Sequence, residues 1–233
     1  MILVRRSGAI LAAAVLAALP AAAAADGIML VQAGAFWMGR DNGPADEAPL
    51  HRVYVRDFWI ERHKVTNAEF AHFLNAAGLR PPGSERRYDE DDADVRIHRA
   101  PGRWVADPGF ERHPVVEVSW FGARDYCAWK GRRLPTEVQW EKAARGDDRL
   151  REWTLTVLRP YPYRTDGDRE PYTGASGRVV VRGARHDDPA DSLGLTRRRS
   201  YDRRGAAAGH HFVGFRCATS EDLGEVAPGG RSE

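Results

Sequence analysis

The side chains best suited to chemistry fall in three places. His186, Asp187, Asp188, Asp191, His210 and His211 lie in the last third of the chain. Imidazoles and carboxylates together suit a non-haem metal such as Fe(II). His186, His210 and His211 are therefore candidate metal ligands, and His186 and Asp188 candidate catalytic groups. The competing reading is three surface histidines, two of them adjacent after a Gly-containing turn from Gly205 to Gly209. The second place is acidic: Asp89, Glu90, Asp91, Asp92 and Asp94 crowd into the stretch Tyr88 to Arg99. Carboxylates this close repel unless a cation or arginines neutralise them. Asp89, Asp91 and Asp92 are candidate Ca²⁺ ligands, although the spacing is not that of an EF-hand and Gly is absent. The alternative is an exposed loop paired with Arg86, Arg87, Arg96 and Arg99. The third place is the cysteine pair, Cys127 and Cys217. In an exported protein an even pair suggests a disulfide; two buried free thiols are the alternative.

Other chemistries find no support. Ser119, Ser176, Ser192 and Ser200 lack a G-x-S-x-G context, so a serine hydrolase is not indicated. No Gly-rich phosphate loop, zinc-type Cys cluster or dinucleotide motif is present. Tyr161-Pro162-Tyr163 suits either an aromatic groove wall or simple packing. The basic run Arg197-Arg198-Arg199 with Arg203-Arg204 suits a solvated face or carboxylate partners.

The elements that must position these groups are readable locally. His113 to Trp120, HPVVEVSW, carries Val115, Val116 and Val118 and predicts a buried strand. Ser119 predicts the cap of a helix bearing Trp120, Ala123 and Cys127, closed by Gly131. Thr136 and Gln139 predict a capping box, with Pro135 stapling onto Trp140 and Gly146 closing the helix. Thr66 and Glu69 predict another box, with Val65 stapled onto Phe70 and an apolar stripe of Phe70, Phe73, Leu74 and Ala77 ending at Gly78. Val53 and Val55 alternate with polar residues like a half-buried strand.

At 233 residues the chain is read as one domain, residues 26–220, with appendages. Residues 1–25 read as an export signal, with Arg5-Arg6, an apolar core from Ile10 to Leu19 and small residues from Ala21 to Ala25. Residues 221–233 read as a disordered tail. Removing the signal takes two arginines from a formal charge of +2 and leaves 0. That balance gives no argument for nucleic acid. The expectation is a periplasmic or secreted monomer with no stable membrane span after signal cleavage.

The longest ordered block of this chain, Val118-Ser119-Trp120, Tyr126-Cys127, Gly131-Arg132-Arg133-Leu134-Pro135-Thr136-Glu137 and Trp140-Glu141 through Gly146, resembles the sulfatase-modifying-factor family, that of the formylglycine-generating enzymes. Gly34 to Gly39, Asp46-Glu47-Ala48-Pro49, His51 to Val55 and Val65-Thr66-Asn67 resemble the family's opening. Val179 to Gly183 and Gly214-Phe215-Arg216-Cys217 resemble its close. The resemblance implies an α+β fold of the C-type-lectin-like kind: two early helices on a small, twisted, mostly antiparallel sheet, with much irregular chain. It also implies a Cys127–Cys217 bridge, closing a loop of roughly 90 residues for about 4 kcal/mol.

Two departures bear on function. Active members carry a reactive cysteine pair for Cu(I) after the R-x-R-G-G segment, whereas Arg182 to Leu193 contain no Cys here. Soft thiolates are what select Cu(I), so copper at a cysteine pair is not expected, and the cofactor stays open between calcium and a non-haem metal. The chain is also short after Gly146, where the family carries its calcium ligands; at least one such site is expected to be missing. The function implied is an exported oxidoreductase or maturation factor acting on a protein or a small metabolite. The rival is a non-catalytic ligand-binding or assembly module on the same fold.

Overall fold

The computed structural model describes residues 27–144, 150–163, 171–185, 188 and 194–220. Four strands come first: β1 (Ile28–Val31), β2 (Gly34–Met38), β3 (His51–Val55) and β4 (Phe58–Glu61). Helix α1 (Asn67–Ala77) leads to a hairpin of β5 (Ile97–Ala100) and β6 (Arg103–Ala106), then to α2 (Trp120–Trp129) and α3 (Glu137–Ala143). The chain continues through β7 (Arg151–Val157), β8 (Val179–Arg182), β9 (Arg198–Tyr201), a short α4 (Arg203–Ala207), β10 (Val213–Gly214) and β11 (Ala218–Thr219).

Local chemistry starts the helices. The Thr66 hydroxyl accepts the Glu69 N–H, and the Glu69 carboxylate accepts the Thr66 N–H, which closes the box at α1. Thr136 and Gln139 do the same at α3, and the Ser119 hydroxyl accepts the Gly122 N–H at α2. Gly131 follows α2 at φ +68°, the left-handed position that glycine tolerates best. Helix α3 ends at Ala143, and Gly146, expected to stop it, lies outside the described residues.

The segment before α2 differs from expectation. Val115 and Val118 are fully buried, as their pattern predicts. They do not form a regular strand, however; the segment makes only single bridges, Thr66 with Pro114 and Tyr88 with Val118. Pro114 has no N–H to donate, and Glu117 takes φ +58°, which turns the chain off the extended path.

The strands divide into small ladders. β4 lies between β1 and β11, antiparallel to both. The largest ladder runs β10-β7-β8-β9, with β10 parallel to β7 and the rest antiparallel. β2–β3 and β5–β6 are hairpins. The α+β class read from the sequence holds. No helix among the described residues is long and apolar enough to cross a membrane.

The main core packs α1 and α2 against β7 and β8. Its aromatic centre includes Phe70, Phe73, Tyr126 and Phe215, with Tyr126 and Phe215 ring centroids 5.4 Å apart. The Cys127–Cys217 disulfide passes through this core, with both cysteines fully buried. A second core gathers Met38, Val53, Val55, Phe58, Ile60 and Val138 beneath β2–β3 and α3.

The interior also holds charge. Glu137, fully buried at the start of α3, accepts from Arg198 at 2.8 and 2.9 Å and from Arg182 at 3.2 Å. Arg182 also pairs with Glu141. Tyr161 and Tyr163 donate their hydroxyls to Glu137, so they pack against this network and do not wall an open groove. Glu152, fully buried in β7, accepts both arms of Arg216 at 2.7 Å, with Lys64 at 3.7 Å. Glu61 pairs with Arg132 at 2.6 Å. Of the basic run, Arg198 lies inside and Arg197 pairs with Asp188, so the carboxylate-partner reading describes both.

Two substitutions test this packing. A Cβ on Gly122 in α2 would sit 2.1 Å from the Arg87 carbonyl oxygen. Gly122→Ala, normally favourable in a helix, is expected to destabilise by about 2 kcal/mol in urea unfolding. Glu137→Ala strips the buried Arg198 of its carboxylate partner and leaves Arg182 with Glu141 alone, and is expected to cost about 3–5 kcal/mol in the same measurement.

Candidate functional site

Three segments converge on one corner: the Asp89–Asp94 loop, Glu117, and the Gly209–His211 turn. Backbone bonds fix them together. The Asp89 N–H donates to the Glu117 carbonyl at 2.9 Å, and the Glu117 N–H donates to the His210 carbonyl at 3.4 Å. A Cβ on Gly209 would lie 2.6 Å from the Glu117 carbonyl and carboxylate oxygens, so only glycine lets the turn close this tightly. The left-handed backbone at Glu117 costs about 1–3 kcal/mol for a non-glycine residue.

Asp92, Asp94, Glu117 and His211 meet at this corner, each offering one ligand atom, all within 4.8 Å of one another. Glu117 is 1% exposed, and its Oε1 is buried without a hydrogen-bond partner. That oxygen lies 3.3 Å from His211 Nδ1, and Asp94 Oδ2 lies 3.6 Å from the same nitrogen. Asp92 uses one oxygen to accept the Asp94 N–H at 2.8 Å. Burial first, then the charges of Asp92, Asp89 and Asp94, push the Glu117 carboxyl up from 4.5 to about 7. A carboxyl titrating near neutrality beside an imidazole can exchange protons or, once ionised, bind a cation.

The other candidates sit elsewhere. Asp89 and Asp91 both pair with Arg86, and Glu90 pairs with Arg99, so part of the acidic run is neutralised by arginine. Of the other arginines weighed as partners, Arg87 instead meets Asp125 and Arg96 meets Asp107. The His210 ring is half-buried, stacks on Tyr201 with centroids 4.1 Å apart and donates from Nε2 to the Gly205 carbonyl at 2.9 Å. Burial holds its pKa down. Asp188 accepts the Arg185 N–H at 2.7 Å and pairs with Arg197 and Arg151 at 3.1 and 3.3 Å. Burial alone would raise its pKa, but that bond and those charges hold it below the usual range. It is engaged as an ion-pair partner. His186 lies outside the described residues.

Sequence reasoning named Asp92 and His211, noted Asp94 and passed over Glu117. The available signal was a lone acid set between Val116 and Val118 in an otherwise apolar run.

The sulfatase-modifying factor enzyme 1-like domain model matches residues 14–156, a range that begins inside the segment read above as an export signal. The formylglycine-generating enzyme of Mycobacterium tuberculosis is 40% identical over 182 residues, covering 58% of this chain and 60% of that protein. A serine/threonine-protein kinase pkn1 of Chlamydia pneumoniae is 41% identical over 121 residues, covering 51% of this chain and 19% of that protein. The chain thus spans less than two thirds of these relatives. Among solved structures, PvdO from Pseudomonas aeruginosa superposes with a TM-score of 0.57 at 20% identity, covering 82% of this chain and 93% of that one, a likeness of fold.

The Glu117 carboxyl sets a pH dependence. Its folded pKa is raised, so the stability it contributes is complete below pH 4.5 and is lost as pH rises through about 7. Asp89, Asp92, Asp94 and His211 are the titratable groups facing it. In EDTA, the melting temperature is expected to fall by about 5 °C more from pH 5 to pH 8 in the parent than in Glu117→Gln. Equal slopes in the two proteins would place that titration on another group.

Proposed function

The chain belongs to the sulfatase-modifying factor enzyme 1-like family, and from that premise we propose that it is an exported maturation-type factor. It acts on a protein or a small metabolite through carboxylate and imidazole groups, not through copper held by a cysteine pair. The observation that carries this reading is the state of the thiols: both cysteines of the chain are closed in one buried disulfide. Neither is left as a thiolate for Cu(I). The Glu117–His211 corner, by contrast, joins a buried carboxyl to a half-exposed imidazole that a substrate can reach. The working protein begins after residue 25, carries its family domain over residues 26–220 and acts as a monomer in the periplasm or the medium. A disulfide suits those oxidising compartments.

A second reading, a ligand-binding or assembly module, is favoured by the β2–β3 hairpin. Trp37 and Tyr54 are 65% and 58% exposed. The pairings Trp37 with Arg52 and Ala35 with Tyr54 put both rings on its outer face.

Two assays separate these readings. With Cu(I) and a cysteine peptide of a sulfatase, the purified protein is expected to yield no aldehyde by hydrazide capture; aldehyde at the level of a formylglycine-generating enzyme would overturn the proposal. In the host lacking the gene, exported proteins and metabolites are compared by mass spectrometry after complementation. Glu117→Gln is expected to cut restoration of the mature product at least tenfold, while Trp37→Ala/Tyr54→Ala restores it. The opposite pattern would establish the binding module.

A further inference from the structure

We propose that Asp92, Asp94, Glu117 and His211 form a binding site for one divalent first-row transition cation, of the Zn²⁺ or Mn²⁺ class. This goes beyond the function proposed above and does not depend on it, since a cation can be held here with or without a reaction.

The acids of this region fall into two sets. Asp89, Glu90 and Asp91 are neutralised by Arg86 and Arg99. Asp92, Asp94 and Glu117 are not: among the described residues, the one side chain of potential positive charge that pairs with any of them is His211. Up to three negative charges therefore face one another around an imidazole. Acidic clusters on surfaces are common, and the cluster alone would decide nothing. The independent observation is Glu117, whose carboxylate is buried, whose Oε1 has no hydrogen-bond partner, and which points at the other three ligand atoms. A buried carboxylate oxygen left without a hydrogen bond keeps its desolvation penalty uncompensated. The backbone at this residue is also held at positive φ. A cation removes both the repulsion and the unmet oxygen.

The donor set indicates which cation. Three carboxylates and one imidazole are a mixed oxygen–nitrogen set, the kind taken by Zn²⁺ and Mn²⁺. Ca²⁺ and Mg²⁺ take oxygen alone, so His211 discriminates against them. Bonds near 2.1 Å place the ligand atoms of a tetrahedral site about 3.4 Å apart, and trans atoms of an octahedral site about 4.2 Å apart. The four atoms here lie within 4.8 Å of one another. Asp94 and His211, with side chains 57% and 47% exposed, have room to close the difference.

The test uses the untagged, disulfide-intact protein, stripped with EDTA and titrated calorimetrically with ZnCl₂, MnCl₂, CaCl₂ and MgCl₂. One equivalent of Zn²⁺ or Mn²⁺ is expected to bind and raise the melting temperature, with Ca²⁺ and Mg²⁺ at least tenfold weaker. Glu117→Gln and His211→Ala are each expected to weaken the transition-metal site at least tenfold. Circular dichroism checks that both variants remain folded, and His211 is exposed enough for its loss to spare the fold. Asp91→Asn, which removes an exposed partner of Arg86, is expected to leave affinity unchanged. Absence of binding, equal binding in folded His211→Ala and Glu117→Gln proteins, or a preference for Ca²⁺ that ignores His211 would each overturn the proposal.

Discussion

The buried carboxylate of Glu137 sets the terms for the rest of the fold. A naked carboxylate in the interior is prohibitively costly, so the chain must bring cations to it. Arg198 and Arg182 arrive from β9 and β8, and Tyr161 and Tyr163 add their hydroxyls from the loop after β7. One residue at the start of α3 thereby dictates where two strands and a loop must pass. Glu152 with Arg216 and Lys64, and Glu61 with Arg132, repeat the device elsewhere. A chain with short strands and long irregular stretches gains few ladder hydrogen bonds to fix its path. Directional charge pairs supply the registration that longer strands would otherwise give.

These pairs also explain what the family motifs mean. Glu137 ends the Gly131–Glu137 turn, Glu141 lies in the Trp140–Gly146 block, Arg182 precedes Gly183, and Arg216 sits beside Cys217. Each is engaged inside the protein. The residues that make the sequence recognisable are thus the ones that hold the architecture. They speak for the fold and leave its chemistry free to vary. At the Glu117 corner, by contrast, the carboxylates of Asp92, Asp94 and Glu117 meet an imidazole in place of an arginine.

Local grammar was legible and distant pairing was not. The boxes at Thr66 and Thr136, the cap at Ser119 and the turn at Gly131 depend on residues a few positions apart, so sequence reveals them. Glu137 meets its arginines 45 and 61 positions away, and nothing local announces that. The run at Val115 and Val118 was legible as buried but not in shape, because the turn at Glu117 reflects contacts with the Asp89 loop and the His210 turn. The corner was legible in part for the same reason. Asp92 and His211 advertise themselves by type, while Glu117 hides in an apolar run and becomes visible only once the 209–211 turn closes over it. Asp188 and His210 have suitable chemistry, but arginines and aromatic stacking occupy them.

The placement of β4 between β1 and β11 has a consequence for how this domain can be built into larger proteins. Among the described residues, the first and last strands flank the same neighbour. Polypeptide entering at β1 and leaving at β11 therefore passes through one small patch of surface. A unit whose entrance and exit are neighbours can be spliced into a host loop, or strung beside another module, without prising the host apart. Such a cassette carries its own covalent tie, the Cys127–Cys217 bridge, wherever it is inserted.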